Sequence, residues 1–93
     1  MAKIEIYASR YCPYCNWARQ LLNTKGVEYQ VHDVDHDTGL WREMEQRTGG
    51  HTVPQIIIND RPIGGYDDLS ALDRTLGLDP LLAGSATSAG AVD

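Results

Sequence analysis

Near its start the chain alternates. Ile4, Ile6 and Ala8 are separated by Glu5 and Tyr7, with Lys3 in front, and this period of two predicts a short strand ending at Ser9. Beyond the next few residues the period changes. Pro13 suits a first helical position, since its fixed φ and missing N–H cost nothing there. Trp17, Ala18, Leu21 and Leu22 then recur at helical spacing, and Lys25-Gly26 closes the segment with a cation and a glycine. Alternation returns in VEYQVHDVD, residues 27–35, with Val27, Tyr29, Val31 and Asp33 on one side. Asp37 or Thr38 can cap a second helix over about residues 39–48, ended by Gly49-Gly50. TVPQIIIND, residues 52–60, is the most apolar strand candidate, and consecutive Ile56, Ile57 and Ile58 predict burial on both faces. Asn59-Asp60-Arg61-Pro62 reads as a tight turn into another short strand, ended by Gly64-Gly65. Asp67 or Asp68 caps a third helix through Leu69, Leu72 and Leu76, stopped by Gly77 and Pro80. After Leu82 the run AGSATSAGAVD has nothing to bury. Residues 1–82 therefore read as one domain and 83–93 as a disordered tail.

The order β-α-β-α-β-β-α belongs to the α/β class. Strands one and two flank a helix and should run parallel through a right-handed crossover, while the last two form an antiparallel hairpin. A mixed four-stranded sheet with helices on its faces is the simplest architecture. A chain of 93 residues supports a single core. Its net charge of −5 and lack of a Lys/Arg cluster argue against nucleic acid as a partner. No apolar run reaches membrane-spanning length, and MAKIEIYA lacks the features of a secretory signal. A soluble cytoplasmic protein, working as a monomer, is the expectation.

Candidate chemistry is concentrated in SRYCPYCN, which holds the only two cysteines, Cys12 and Cys15. In a reducing compartment a CxxC pair is catalytic or metal-binding more often than a passive staple, and so short a loop gives a disulfide little chain entropy to remove. At the junction of a strand and a helix, Cys12 meets unpaired backbone N–H groups and the positive end of the helix dipole, both of which favour a thiolate. Cys15 lies three residues on, on the same face and one turn inside the helix. The expected division of labour is attack by Cys12 and resolution by Cys15, with Arg10 adding a nearby positive charge. Zinc is the competing reading, because Cys12, Cys15, His32 and His36 spell C-x2-C-x16-H-x3-H. Finger histidines sit a turn apart on a helix, whereas His32 falls in an alternating strand and His36 in the loop after it. His32, His36 and His51 read instead as solvated surface or loop residues, and no metal is expected.

CPYC after the first strand, TVPQIII before the hairpin and GGYDDL opening the last helix together resemble a dithiol glutaredoxin of the small bacterial type, in the thioredoxin superfamily. The resemblance covers about residues 3–82, including the LDPLL ending. It implies a thioredoxin-like fold, a four-stranded mixed sheet flanked by three helices. It also implies a glutathione-dependent thiol–disulfide oxidoreductase, with no tightly bound cofactor and glutathione as co-substrate. Its other partners would be disulfide-containing or glutathionylated proteins. Thr52-Val53-Pro54 resembles the loop whose proline is cis, where the backbone of Val53 would pair with the cysteinyl unit of glutathione. Gly65, Tyr66, Asp67 and Asp68 resemble the contact to the γ-glutamyl end, with Tyr14 and Arg10 on the cysteine side of the same site. Two positions depart from the family pattern: Ser9 stands where many members have Lys, and Trp41 where related bacterial sequences often have Arg. The glycyl-carboxylate clamp is therefore expected to be altered. The alternatives are a glutathione-ligated iron–sulfur cluster carrier and a thioredoxin-like protein disulfide reductase. Monothiol cluster carriers use CGFS and thioredoxins WCGPC, and this chain has neither.

Overall fold

In the computed structural model, which describes residues 2–82, four strands form one sheet in the order β2-β1-β3-β4. The elements are β1 (Ile4–Ala8), α1 (Pro13–Thr24), β2 (Gln30–Asp33), α2 (Thr38–Thr48), β3 (Gln55–Ile58), β4 (Arg61–Gly64), α3 (Tyr66–Arg74) and α4 (Leu78–Leu82). β1 pairs in parallel with β2, with Ile6 opposite Val31 and Tyr7 opposite His32. It pairs antiparallel with β3, and β3 pairs antiparallel with β4. The expected tail, residues 83–93, lies outside the described residues.

The two central strands, β1 and β3, are buried along their whole length. Ile4, Ile6 and Ala8 face one way and join Ile56, Ile58, Ala18, Leu22, Leu69, Leu78 and Leu82 beneath α1, α3 and α4. Tyr7 faces the other way and packs with Ile57, Val34 and Met44 beneath α2. The helices begin where local chemistry directs. Pro13 is the first residue of α1, and the Asp37 carboxylate accepts from the Leu40 N–H at 2.9 Å to cap α2. Gly49, at φ 74°, supplies the left-handed turn that ends α2.

Five expectations change. β2 is shorter than residues 27–35 and lies at the sheet edge, so Val31, although on the apolar face opposite Ile6, stays 42% exposed. The third helix ends at Arg74, and Leu76, at φ 63°, is exposed. Pro80 is inside a fourth short helix instead of stopping the third. As the third residue of α4 it needs no N–H, because first-turn donors have no intrahelical partner. The cap of α3 is Gly65, and the Asp68 carboxylate reaches back to its N–H at 3.1 Å. Finally, His32 is only partly open to solvent. The parallel register lays it beside Tyr7, with ring centroids 4.6 Å apart, and Nε2 lies 3.0 Å from the buried Glu5 carboxylate.

Candidate active site

The site begins with the turn from β1 into α1. Cys12 has an extended backbone and occupies the N-cap position, where a side-chain acceptor can satisfy a free helical donor. Its sulfur takes that role, accepting from the Cys15 N–H at 3.2 Å. The Cys12 thiol also lies 3.6 Å from the Val53 carbonyl oxygen, to which it donates. Both cysteines are free thiols, Cys12 partly exposed and Cys15 completely buried. Cys15 packs into the apolar cluster with Ala18 and Leu22. Burial above all, and then the contact with Cys12, pushes the Cys15 thiol well above its ordinary range. The two sulfurs are thus unlike in access and in electrostatics.

Val53 precedes Pro54 through a cis peptide bond. It touches the apolar clusters on both sides of the sheet, so the loop is braced from each face. Beside it opens a cavity of about 500 Å³. Tyr14 from α1 forms one wall, and Thr52, Val53 and Pro54 form the floor. Gly65, Tyr66, Asp67 and Asp68 close the far side at the start of α3. Gln55 and Gly64 also line it, and neither was anticipated from the sequence. Gln55 is nearly buried, and its amide donates to the Thr52 carbonyl at 3.0 Å, holding the loop. Gly64 has φ 117°, and a Cβ there would lie 2.2 Å from the Asp68 carboxylate, so only glycine fits. The signal available in the sequence was the Gly-Gly pair just before a helix start.

Arg10 does not line this cavity. Its Nε lies 3.8 Å from carboxylate oxygens of both Asp33 and Asp35. Its backbone N–H donates to Asp35 at 3.0 Å, and the Ser9 hydroxyl donates to the same carboxylate at 2.7 Å. The Ser9 bond, with the Arg10 N–H after it, holds the Asp35 carboxyl below its usual range. Parallel pairing brings the ends of β1 and β2 together, and the acidic pair of the DVD segment draws the guanidinium towards β2. Trp41 packs against the cluster of Tyr7, Val34, Met44 and Ile57, and Arg42 is exposed. His32 and Cys15 lie on opposite faces of the sheet, the former against Tyr7 and the latter under α1. Among the described residues no three His, Cys, Asp or Glu side chains gather as a metal-binding group.

The glutaredoxin family profile matches residues 4–63, well over half of the chain. The chain belongs to the glutaredoxin family. Glutaredoxin 3 of Escherichia coli is 51% identical over 82 residues, which are 88% of this chain and 99% of that protein. Among solved structures, a glutaredoxin of Brucella melitensis is 43% identical with a TM-score of 0.78, over 88% of this chain and 89% of that one. The buckwheat glutaredoxin–glutathione complex is 27% identical with a TM-score of 0.83, over 95% of this chain and 83% of that one. The fold is thioredoxin-like, with α4 as an addition to the three helices anticipated. As a glutaredoxin, the chain is a glutathione-dependent thiol–disulfide oxidoreductase.

Proposed function

We propose that Cys12 is the nucleophile, that Cys15 resolves, and that the cavity between Tyr14, the Thr52–Pro54 loop and the start of α3 holds glutathione. The observation that carries this reading is the asymmetry of the two sulfurs. Cys12 is accessible and accepts a helix N-terminal N–H, whereas Cys15 is buried with its thiol held protonated. A thiolate, not a thiol, attacks a disulfide.

In the monothiol route Cys12 thiolate attacks the glutathione sulfur of a protein–glutathione mixed disulfide. The protein thiolate leaves and takes up a proton, and Cys12 carries glutathione. A second glutathione thiolate attacks the bound glutathione sulfur, releasing glutathione disulfide and regenerating Cys12 thiolate. In the dithiol route Cys12 attacks a protein disulfide, and Cys15 then attacks Cys12 sulfur to expel the second protein thiol. Two glutathiones reduce the resulting Cys12–Cys15 bond. Once Cys12 is bonded to substrate, its part in raising the Cys15 thiol is lifted and burial remains.

Support for the glutathione pose comes from chemistry at each end of the cavity. The backbone of Val53, next to the cis Pro54, offers strand-like pairing to a cysteinyl unit. The N–H groups opening α3 favour a γ-glutamyl carboxylate, and Asp67 accepts from its ammonium. Asp68 already accepts from Gly65, which holds that helix start in shape. Arg10, drawn to Asp33 and Asp35, has its charge shared before any glycyl carboxylate arrives. We assign this chemistry to the reducing cytoplasm and to a monomer; no helix among the described residues is long and apolar enough to cross a membrane.

The test is glutathione-coupled reduction of a small mixed disulfide by wild type, Cys12→Ser and Cys15→Ser. Cys12→Ser should abolish turnover and Cys15→Ser should keep much of it. Activity surviving Cys12→Ser would remove the assignment, and equal loss in both variants would remove the monothiol route.

A further inference from the structure

At the cavity wall three aromatic rings meet, Tyr14 and Trp17 about half exposed and Tyr66 partly buried against the core. Tyr14 and Trp17 stand one turn apart on α1 with centroids 5.0 Å apart, edge to face at 83°. Tyr66, the first residue of α3, lies 6.3 Å from Tyr14 and 5.8 Å from Trp17. The core-facing residues of α1 are Cys15, Ala18 and Leu22, so Trp17 contributes nothing to that core. It remains 48% exposed, and Tyr14 51%. Tyr14 and Tyr66 line the cavity, while Trp17 sits beyond its rim. An exposed aromatic cluster continuous with a binding cavity marks a contact surface.

The occupant follows from the chemistry of the substrate, and this step rests on the functional reading above. A mixed disulfide has two halves. With glutathione in the cavity, the target polypeptide leaves from the cavity mouth, beside which the cluster stands. A target cysteine that readily takes glutathione is one whose thiolate is stabilised by a neighbouring cation. Aromatic faces attract such a cation, arginine most of all because its planar guanidinium stacks. The net charge of −5 suits a basic flank. We propose that the Tyr14–Trp17–Tyr66 cluster docks the polypeptide flank of the target cysteine, and that Trp17 selects flanks carrying arginine or lysine.

The experiment compares glutathione mixed disulfides of peptides identical except for arginine, alanine or glutamate beside the cysteine. Wild type, Trp17→Ala and Trp17→Phe are assayed on each, with a small mixed disulfide as reference. Wild type should favour the arginine peptide over the alanine peptide by about fivefold in kcat/KM, the size of an exposed cation–π contact. Trp17→Ala should bring that ratio close to one, Trp17→Phe should keep part of it, and turnover of the small disulfide should not change. Because Trp17→Ala alters no charge, the long-range field of the protein stays the same in every arm. Equal handling of the peptides by wild type, or a ratio that survives Trp17→Ala, would overturn the proposal alone. Failure of wild type to turn over the small disulfide would overturn the functional reading and this proposal with it.

Discussion

The two faces of the sheet are built differently from the same strand. Towards α1, α3 and α4, β1 presents Ile4, Ile6 and Ala8 to an apolar cluster that also buries Cys15. Towards α2 it presents Glu5 and Tyr7, and there directional contacts are added to a smaller apolar cluster of Tyr7, Val34, Met44 and Ile57. Arg47 donates to both Glu5 oxygens at 2.8 and 2.9 Å, to the Tyr7 hydroxyl at 2.8 Å and to Asp60 at 3.3 Å. The Tyr7 hydroxyl in turn donates to Glu43, and His32 closes the network on Glu5. The apolar face holds the two helices whose N-termini make the active site, and its packing places Cys15 out of reach of water. The polar face holds α2, with no cysteine in contact. Close packing on one side therefore sets the chemistry of the sulfurs, while charge pairing on the other fixes a helix in position.

The largest effect should follow from opening the apolar face. Leu22 is fully buried on α1, and Leu22→Ala removes its contacts while leaving a cavity beneath the helix. The expected loss is about 2–5 kcal/mol in urea unfolding. Cysteine alkylation should then report Cys15 as more accessible than in wild type. A loss below about 1 kcal/mol would mean that this face can collapse around the gap.

A smaller and pH-dependent effect should follow on the polar face. The Arg47 hydrogen bonds hold the Glu5 carboxyl down to about 2, against the 4.5 of an unperturbed glutamate. The folded state therefore binds this proton later than the unfolded chain does as acid is added. The stabilisation is complete above about pH 4.5 and is lost as the pH falls towards 2. It amounts to roughly 3 kcal/mol, and Glu5→Gln should lose most of it at neutral pH while flattening the acid limb of the stability curve. Denaturant midpoints measured across that range check both parts. An unchanged acid limb in Glu5→Gln would assign the acid sensitivity to other carboxylates.

How much of this was legible in the chain depends on the range of the interaction. A period-two run located β1, a continuous apolar run located β3, and local caps such as Pro13 and Asp37 located α1 and α2, because each acts within a few residues. Glu5 was opaque for the opposite reason. A glutamate in an alternating strand reads as a solvent-facing position, and its partner Arg47 is forty-two residues away on α2. The same limit hid the Arg10 contacts, which depend on the ends of β1 and β2 meeting across a parallel register. Pro80 misled because a proline is a helix breaker in the interior but harmless in the first turn, and only the burial of Leu78 and Leu82 distinguishes the two. The CPYC, TVP and GGYDD segments were legible as a set. The place of Gln55 in the cavity lining, and the demand for glycine at Gly64, emerge only when the loop and α3 face one another.

The smallest expected effect separates what charge pairing does from what it is worth. Removing Glu5 alone strands the Arg47 guanidinium beside Tyr7 with only the exposed Asp60 as a charged partner. Replacing both members by apolar residues of similar length removes the charges together with the cost of burying them, an exchange that is often neutral or stabilising. The paired substitution Glu5→Leu with Arg47→Met should therefore lie within about 1 kcal/mol of wild type at neutral pH. Tyr7 retains its bond to Glu43, and His32, partly open to solvent, can turn to water. The double variant should also show the flattened acid limb of Glu5→Gln, since the same carboxyl is gone. If it were as unstable as Glu5→Gln, the network would be contributing net stability, and the two faces would differ in chemistry but not in strength. If it recovers, apolar burial is the main support of both faces, and the ion pair serves to set where α2 lies on the sheet.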